Sequence, residues 1–285
     1  MAAAPAARTQ LRATADDGVE LLGMVSAGTG PGVLLLHGLA SNARMWDGVV
    51  GVLEAQGRAA AAFDLRGHGR SQQADDGYSI DGFARDAATV LRALAEHDPV
   101  WARPIVAGQS LGGNVVLALA ALDVPLAGIV LVDGGFIDLS ARYDDWDACA
   151  AALAPPDLSH LTPAELESLL RNEHPDWSDA AIAGMAACWD EVDGHVAPHL
   201  TRPHHMALLQ SLYEHPPRLD AGRVTAPTTI IASAGAESDP IKRATVERLA
   251  DALARCRVVW RSDADHDIHA QHPDETAALI LAADA

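Results

Sequence analysis

Aromatic residues are scarce: phenylalanine, tyrosine and tryptophan together make up 4% of the 285 residues. With 49% hydrophobic residues overall, the packing must come from alanine, valine and leucine. Basic residues are few as well, 20 lysines and arginines against 39 acids, for a formal net charge of −19. A surface that acidic repels phosphate backbones and anionic lipid, so neither a nucleic acid nor a membrane surface is the expected partner. Lysine is nearly absent: Lys242 stands alone, and its isolation reads as codon usage, not function. Three cysteines, Cys149, Cys188 and Cys256, are widely spaced and form no C-x-x-C, which fits a reducing cytoplasm better than a disulfide framework. No run approaches the roughly 20 apolar residues that span a bilayer. Met1 to Ala15 lacks the cationic start and apolar stretch of a signal peptide. The expected location is cytoplasmic.

What is present is a regular alternation. Val33–Leu36, Ala59–Phe63, Ile105–Ala107, Ile129–Val132, Thr228–Ala232 and Arg257–Trp260 are short apolar runs that read as buried strands. Helical spacing falls between them, at Trp46–Leu53, Asp81–Leu94, Asn114–Leu122, Ile241–Leu253 and Glu275–Ala282. Continuous apolar strands alternating with helices predict an α/β fold, a mostly parallel, doubly wound sheet covered on both faces. The alternation breaks between about Ile137 and Asp220, where proline and acid punctuate short helical runs. The expected organisation is a core of residues 1–136 and 221–285 carrying a helical cap, 137–220, inserted before the last strands.

Gly108-Gln109-Ser110-Leu111-Gly112 lies between a strand and a helix. Glycine on each side allows the backbones to approach closely, and such a turn lifts the serine hydroxyl above the sheet edge. A serine hydroxyl needs a base, and the base needs a carboxylate to fix its tautomer. In this kind of sheet the three follow the order serine, acid, histidine, from loops at the strand C-termini. His266, in Asp263-Ala264-Asp265-His266-Asp267, is the expected base, and Asp239, before Pro240, the expected acid. Glu237 in the same loop and Asp133 after an earlier strand remain rival acids. Backbone N–H groups of Leu39, after His37-Gly38, and Leu111 are the expected oxyanion donors.

These pieces resemble the α/β-hydrolase superfamily. The matching motifs are Leu36-His37-Gly38-Leu39, Asp64-Leu65-Arg66-Gly67-His68-Gly69-Arg70-Ser71, Gly108-Gln109-Ser110-Leu111-Gly112-Gly113, Asp239-Pro240, and His266 ahead of Pro273. The resemblance implies a triad of Ser110, Asp239 and His266, an oxyanion hole at Leu39 and Leu111, and no cofactor. It departs from the usual pattern at Asp265, where a glycine often precedes the histidine, and in an acid loop one residue longer than common.

Within the insertion, 15 acids face 4 arginines. Trp146, Trp189 and Met206, with Trp177 and Tyr213, are the expected lining of an apolar substrate site. His195 and His199 are four apart, but Pro198 intervenes and no H-E-x-x-H occurs, so no metal is expected. Asp263, Asp265 and Asp267 alternate like a calcium loop but lack its glycine and glutamate. The expected activity is serine-dependent cleavage of an ester, thioester or lactone of a small apolar molecule. The alternative is an isomerase, lyase or cyclase that uses the same histidine as a proton shuttle. A small-ligand receptor on the same fold is a third, less fitting class.

Overall fold

The computed structural model describes residues 8–234 and 239–284. Eight strands form one sheet: β1 (Thr9–Thr14), β2 (Glu20–Ser26), β3 (Thr29–Leu36), β4 (Arg58–Phe63), β5 (Ile105–Gln109), β6 (Gly128–Val132), β9 (Thr228–Ser233) and β10 (Cys256–Arg261). Their order is β1-β2-β4-β3-β5-β6-β9-β10. β1 and β2, and β2 and β4, pair antiparallel; every other neighbouring pair is parallel. The sequence reading missed β1 and β2. Their signal was present: alternating polar and apolar residues around Asp16-Asp17-Gly18, with Gly18 at φ 87° as such a turn requires.

Side chains of the central strands alternate between the two faces of the sheet. Leu34, Leu36, Ala61, Phe63, Val106, Ile129, Leu131 and Ile230 enter one apolar cluster. Val33, Leu35, Ala60, Ala62, Ile105, Ala107, Val130, Val132 and Ile231 enter another. Helices α2 (Ile80–His97) and α3 (Leu111–Ala120) cover the first face, and α1 (Asp47–Ala55) and α10 (Pro273–Leu281) the second. The alanines at Ala60 and Ala61, both fully buried, let helices pack close where aromatic side chains would not fit.

Helix α2 begins at Ser79, whose hydroxyl accepts from the Gly82 N–H at 3.0 Å. Ser79→Ala removes that cap, and we expect a loss of about 1 kcal/mol, read as a lower urea midpoint with an unchanged slope.

Between β6 and β9 run α4 (Trp146–Leu153), α5 (Pro163–Glu173), α6 (Asp179–Ala186), a hairpin of β7 (Trp189–Val192) and β8 (His195–Pro198), and α7 (Arg202–Glu214). The hairpin is an addition to the helical insertion expected there. Asp193 and Gly194 both have positive φ, 51° and 81°, the two-residue turn that Asp-Gly favours. Cys149 of α4 and Leu208, Leu209 and Leu212 of α7 join the large cluster on the sheet. Leu166, Leu170, Trp177, Ile182 and Val196 form a separate small core that also takes in Met45. All three cysteines are free thiols.

Helix α8 (Pro240–Ala252) follows β9, and the short α9 (Ile268–Gln271) follows β10. Registers set the functional edge. Leu36 lies beside Gly108, Gln109 beside Val132, and Val132 beside Ile231. The loops after β3, β5, β6 and β9 therefore leave the sheet side by side. The chain winds one way from β3 to β4 and the other way to β5, so the crevice opens between the loops after β3 and β5.

Candidate active site

Ser110 sits between β5 and α3 at φ 52°, ψ −122°, a strained conformation for a residue with a side chain. The turn is held from several directions. Ser110 N–H donates to Val132 O at 3.0 Å, and Ser110 O accepts from Gly113 N–H at 2.9 Å. A Cβ at Gly108 would stand 2.2 Å from Gly112 O, and one at Gly134 would stand 2.2 Å from Ser110 O. Only glycine permits those approaches, which is why the elbow carries them. Leu111 opens α3, so its N–H has no carbonyl within the helix and stays available at the positive helix end.

The turn after β3 is fixed by two buried imidazoles. His37 Nε2 accepts from Leu65 N–H at 3.0 Å, so Nδ1 carries the proton and donates to Gly38 O at 2.8 Å. That hydrogen bond turns the carbonyl of the Gly38–Leu39 peptide toward the ring. In a trans peptide the Leu39 N–H then points the opposite way. His68 Nε2 accepts from Ala40 N–H at 3.2 Å, and its Nδ1–H donates to Arg66 O at 2.9 Å. Burial pushes the His37 pKa down to about 4 and the His68 pKa down to about 3, so both rings are neutral, as these tautomers require. Gly38 brings this turn against the elbow: a Cβ there would meet the Gln109 side chain at 2.4 Å and Ser110 Cβ at 3.1 Å.

His266 lies in the loop after β10. Its Nδ1–H donates to Asp133 Oδ2 at 2.7 Å. Asp133 follows β6 at φ 41° and is 3% exposed. Its other oxygen accepts from Ser233 N–H at 2.8 Å and meets Lys242 Nζ at 2.6 Å. Burial pushes the Asp133 pKa up. The His266 hydrogen bond and the charges of His266 and Lys242 outweigh burial and hold it below the usual carboxylate range. For His266, desolvation acts downward and Asp133 upward. Desolvation is the largest single effect, but the hydrogen bond and charge of Asp133 with the charge of Asp267 together outweigh it, leaving the pKa above its ordinary value. Gln109 Nε2 donates to His266 O at 3.2 Å and to Asp267 Oδ1 at 3.3 Å, tying the histidine loop to the residue next to Ser110. Among the described residues the Ser110 hydroxyl itself makes no hydrogen bond.

The expectation for the acid is corrected here. Asp239 does not face His266. It caps α8, its Oδ1 accepting from Ile241 and Lys242 N–H at 3.0 Å each, and its Oδ2 pairs with Arg142. An aspartate directly before a first-turn proline is a preferred cap, and that role uses the carboxylate the triad would need. Glu237 lies outside the described residues. Asp133, the rival from the earlier strand, holds the position beside the imidazole. The order serine, acid, histidine along the chain is unchanged by this exchange.

A cavity of about 800 Å³ opens beside Ala40, next to the Leu39 turn. Its walls are mainly apolar, with Leu153, Pro155, Leu158, Trp189 and Leu200, and it also takes in Arg202 and His205. Trp189 stands in this wall, whereas neither Ser110 nor His266 does. Trp146 and Met206 do not line it either: Trp146 leans on Tyr213, ring centroids 6.1 Å apart, and Met206 packs against the large apolar cluster. His199 pairs with Asp190 at 3.0 Å. Among the described residues no cluster of histidine, cysteine and acidic side chains could hold a metal ion, and no helix is long and apolar enough to cross a membrane.

Known proteins share this fold. The model of a family described as the alpha/beta hydrolase family matches residues 33–279. An esterase of Mycobacterium tuberculosis is 43% identical over 108 residues, 37% of this chain and 34% of that protein. A 2-(acetamidomethylene)succinate hydrolase of Mesorhizobium japonicum is 27% identical over 186 residues, 64% of this chain and 63% of that protein. In both cases the match covers less than two thirds of the relative's length. A crystal structure of E-2-(acetamidomethylene)succinate hydrolase superposes with a TM-score of 0.78 at 25% identity, covering 98% of this chain and all of that one.

Proposed function

Because this chain belongs to the alpha/beta hydrolase family, we propose that it is a serine hydrolase acting through Ser110, His266 and Asp133. The observation that carries this reading is the 2.7 Å hydrogen bond from His266 Nδ1 to a buried Asp133, in a loop that Gln109 ties to the strained serine turn. With Nδ1 committed to Asp133, the His266 proton acceptor is Nε2. It takes the Ser110 proton as Oγ attacks a carbonyl carbon, and Asp133 stabilises the imidazolium that forms. The tetrahedral oxyanion is met by the N–H groups of Leu39 and Leu111. The proton then passes to the leaving group, and water, activated by the same imidazole, releases the acyl group from Ser110. Catalytic serine–histidine contacts are often loose without substrate, and this mechanism requires the half-exposed ring to close on Ser110 when substrate binds.

Residues 137–220 act as a cap over this edge. The apolar walls of the 800 Å³ cavity support a small, mostly apolar substrate with an ester, thioester or lactone bond. The test is labelling with a serine-directed fluorophosphonate, followed by peptide mapping and assays on p-nitrophenyl esters, thioesters and lactones. Labelling at Ser110 with turnover of one of these classes is the expected result. Labelling without turnover of any of them points to a non-hydrolytic reaction. Absence of labelling removes the nucleophile and with it the mechanism.

A further inference from the structure

Lys242 is the single lysine of a chain whose other cations are all arginine or histidine. Its ammonium is not spent on the surface. The side chain is 14% exposed, and Nζ lies 2.6 Å from Asp133 Oδ1, 2.6 Å from Ser233 Oγ and 3.1 Å from Ser233 O. It also stands 5.7 Å from the centroid of the Phe136 ring. Asp133 Oδ1 meets Lys242, while Oδ2 accepts from His266 and, at 3.2 Å, from the Ser233 hydroxyl. Lys242 and His266 border the same cavity of about 200 Å³, together with Phe136, Ile137 and Leu139. A buried carboxylate bonded only to the imidazole would be free to rotate about its Cβ–Cγ bond. The ammonium and the Ser233 N–H hold Oδ1, and the Ser233 hydroxyl, which accepts from Lys242 Nζ, donates to Oδ2, so Lys242 helps fix both oxygens.

We propose that Lys242 is a positioning residue for catalysis: it locks the Asp133 carboxylate against His266, and its charge offsets part of the Asp133 charge felt by the imidazole. The proposal rests on the reading of Ser110, His266 and Asp133 as the reacting set. Its consequence is a working pH range that reaches lower than an Asp–His pair alone would allow, because His266 must be neutral to accept the serine proton. The neighbouring charges have defined signs. Apart from desolvation, which lowers it, the His266 pKa is raised by Asp133 and Asp267 and lowered by Lys242. Asp265 and His269 flank it on its own loop and on α9. On the cavity side, Asp138 is paired with Arg218 and Arg142 with Asp239, so neither leaves a free charge facing Lys242. An arginine in place of Lys242 would present a planar fork instead of a compact ammonium, which accounts for a lysine where the rest of the chain uses arginine.

The experiment is a kcat/KM–pH profile for wild type, Lys242→Met and Lys242→Arg on whichever ester is turned over, with Ser110→Ala and Asp133→Asn as controls and melting curves for all. Lys242→Met is expected to move the acid limb up by about half to one pH unit. It is also expected to lower kcat about tenfold or more at the plateau, through loss of carboxylate orientation, with little change in KM. Lys242→Arg is expected to return the acid limb to the wild-type position. If Lys242→Met does not fold, Lys242→Gln, which keeps a donor but no charge, carries the same test of the acid limb. An unshifted limb in the uncharged variant, with both controls inactive, overturns the role of Lys242 and leaves the triad standing. Full activity in either control overturns the triad itself.

Discussion

Ser110→Ala is expected to lower ester turnover by about 10⁴- to 10⁶-fold, and Asp133→Asn by about 10⁴-fold, while Asp239→Asn stays within about threefold of wild type. The middle result is the informative one. Asparagine at position 133 would present an amide N–H₂ or a carbonyl to His266 Nδ1, and it cannot stabilise an imidazolium. It can also hold the wrong tautomer, leaving Nε2 protonated and unable to accept from Ser110. The same substitution leaves Lys242 beside an uncharged partner. The ammonium keeps Ser233 O and Oγ, so the protein is expected to fold at a measurable cost in melting temperature. At position 239 asparagine caps a helix as well as aspartate does. What it loses is the partly exposed pair with Arg142, and such pairs contribute little. Steady-state kinetics of the three variants beside their melting curves checks this. A dead Asp239→Asn with a fully active Asp133→Asn would return the acid to the loop after β9.

Stability is expected to fall steeply as the pH is lowered from about 6.5 to 5. Three histidines, His37, His68 and His269, are essentially inaccessible, with 0%, 1% and 1% exposure. Burial pushes their pKa values down to about 4, about 3 and about 3. Unfolded histidine titrates near 6.5, so below that pH the unfolded chain takes up protons that the folded chain refuses. The stability these neutral rings contribute is fully present above about pH 6.5 and is lost as pH falls toward their folded values. Each costs about 1.4 kcal/mol per pH unit in that window, so on the order of 2 kcal/mol apiece at pH 5. His269 gives the control. Among the described residues neither of its ring nitrogens has a partner, and the ring packs on Trp46 with centroids 4.3 Å apart. His269→Leu removes an unsatisfied polar group without touching the oxyanion turn. We expect it to flatten the dependence of unfolding free energy on pH by about one proton between pH 6 and 5. Urea titrations at half-unit pH steps measure that slope. A wild-type curve flat over this range would mean that the three rings are not held neutral.

The strained serine turn, the turn after β3 and the loop of His266 were legible because each rests on local chemistry. Gly108 and Gly112 mark a turn where a Cβ would strike backbone. His37-Gly38 follows a strand directly, and His266 sits in the loop before a first-turn proline. The alternation of Leu34 and Leu36 against Val33 and Leu35 was already a sheet buried on both faces. The β7–β8 hairpin and the β1–β2 edge carried signals too, in Asp193-Gly194 and Asp17-Gly18, but β7 and β8 have four residues each, and β1 and β2 lack the continuous apolar run of the buried strands.

What the linear chain determined by itself was therefore the set of turns, the strand cores and the positions of Ser110 and His266 in loops after strands, since steric fit and hydrophobic period act between near neighbours. The carboxylate beside His266, and the contacts of the solitary lysine, belonged to the tertiary structure. Asp133 and Asp239 both follow buried strands, Asp133 directly after β6 and Asp239 six residues after β9, at the head of α8. What separates them is that one carboxylate is consumed by a helix end while the other is carried, by the pairing of β6 with β9, to within 2.7 Å of an imidazole 133 residues away.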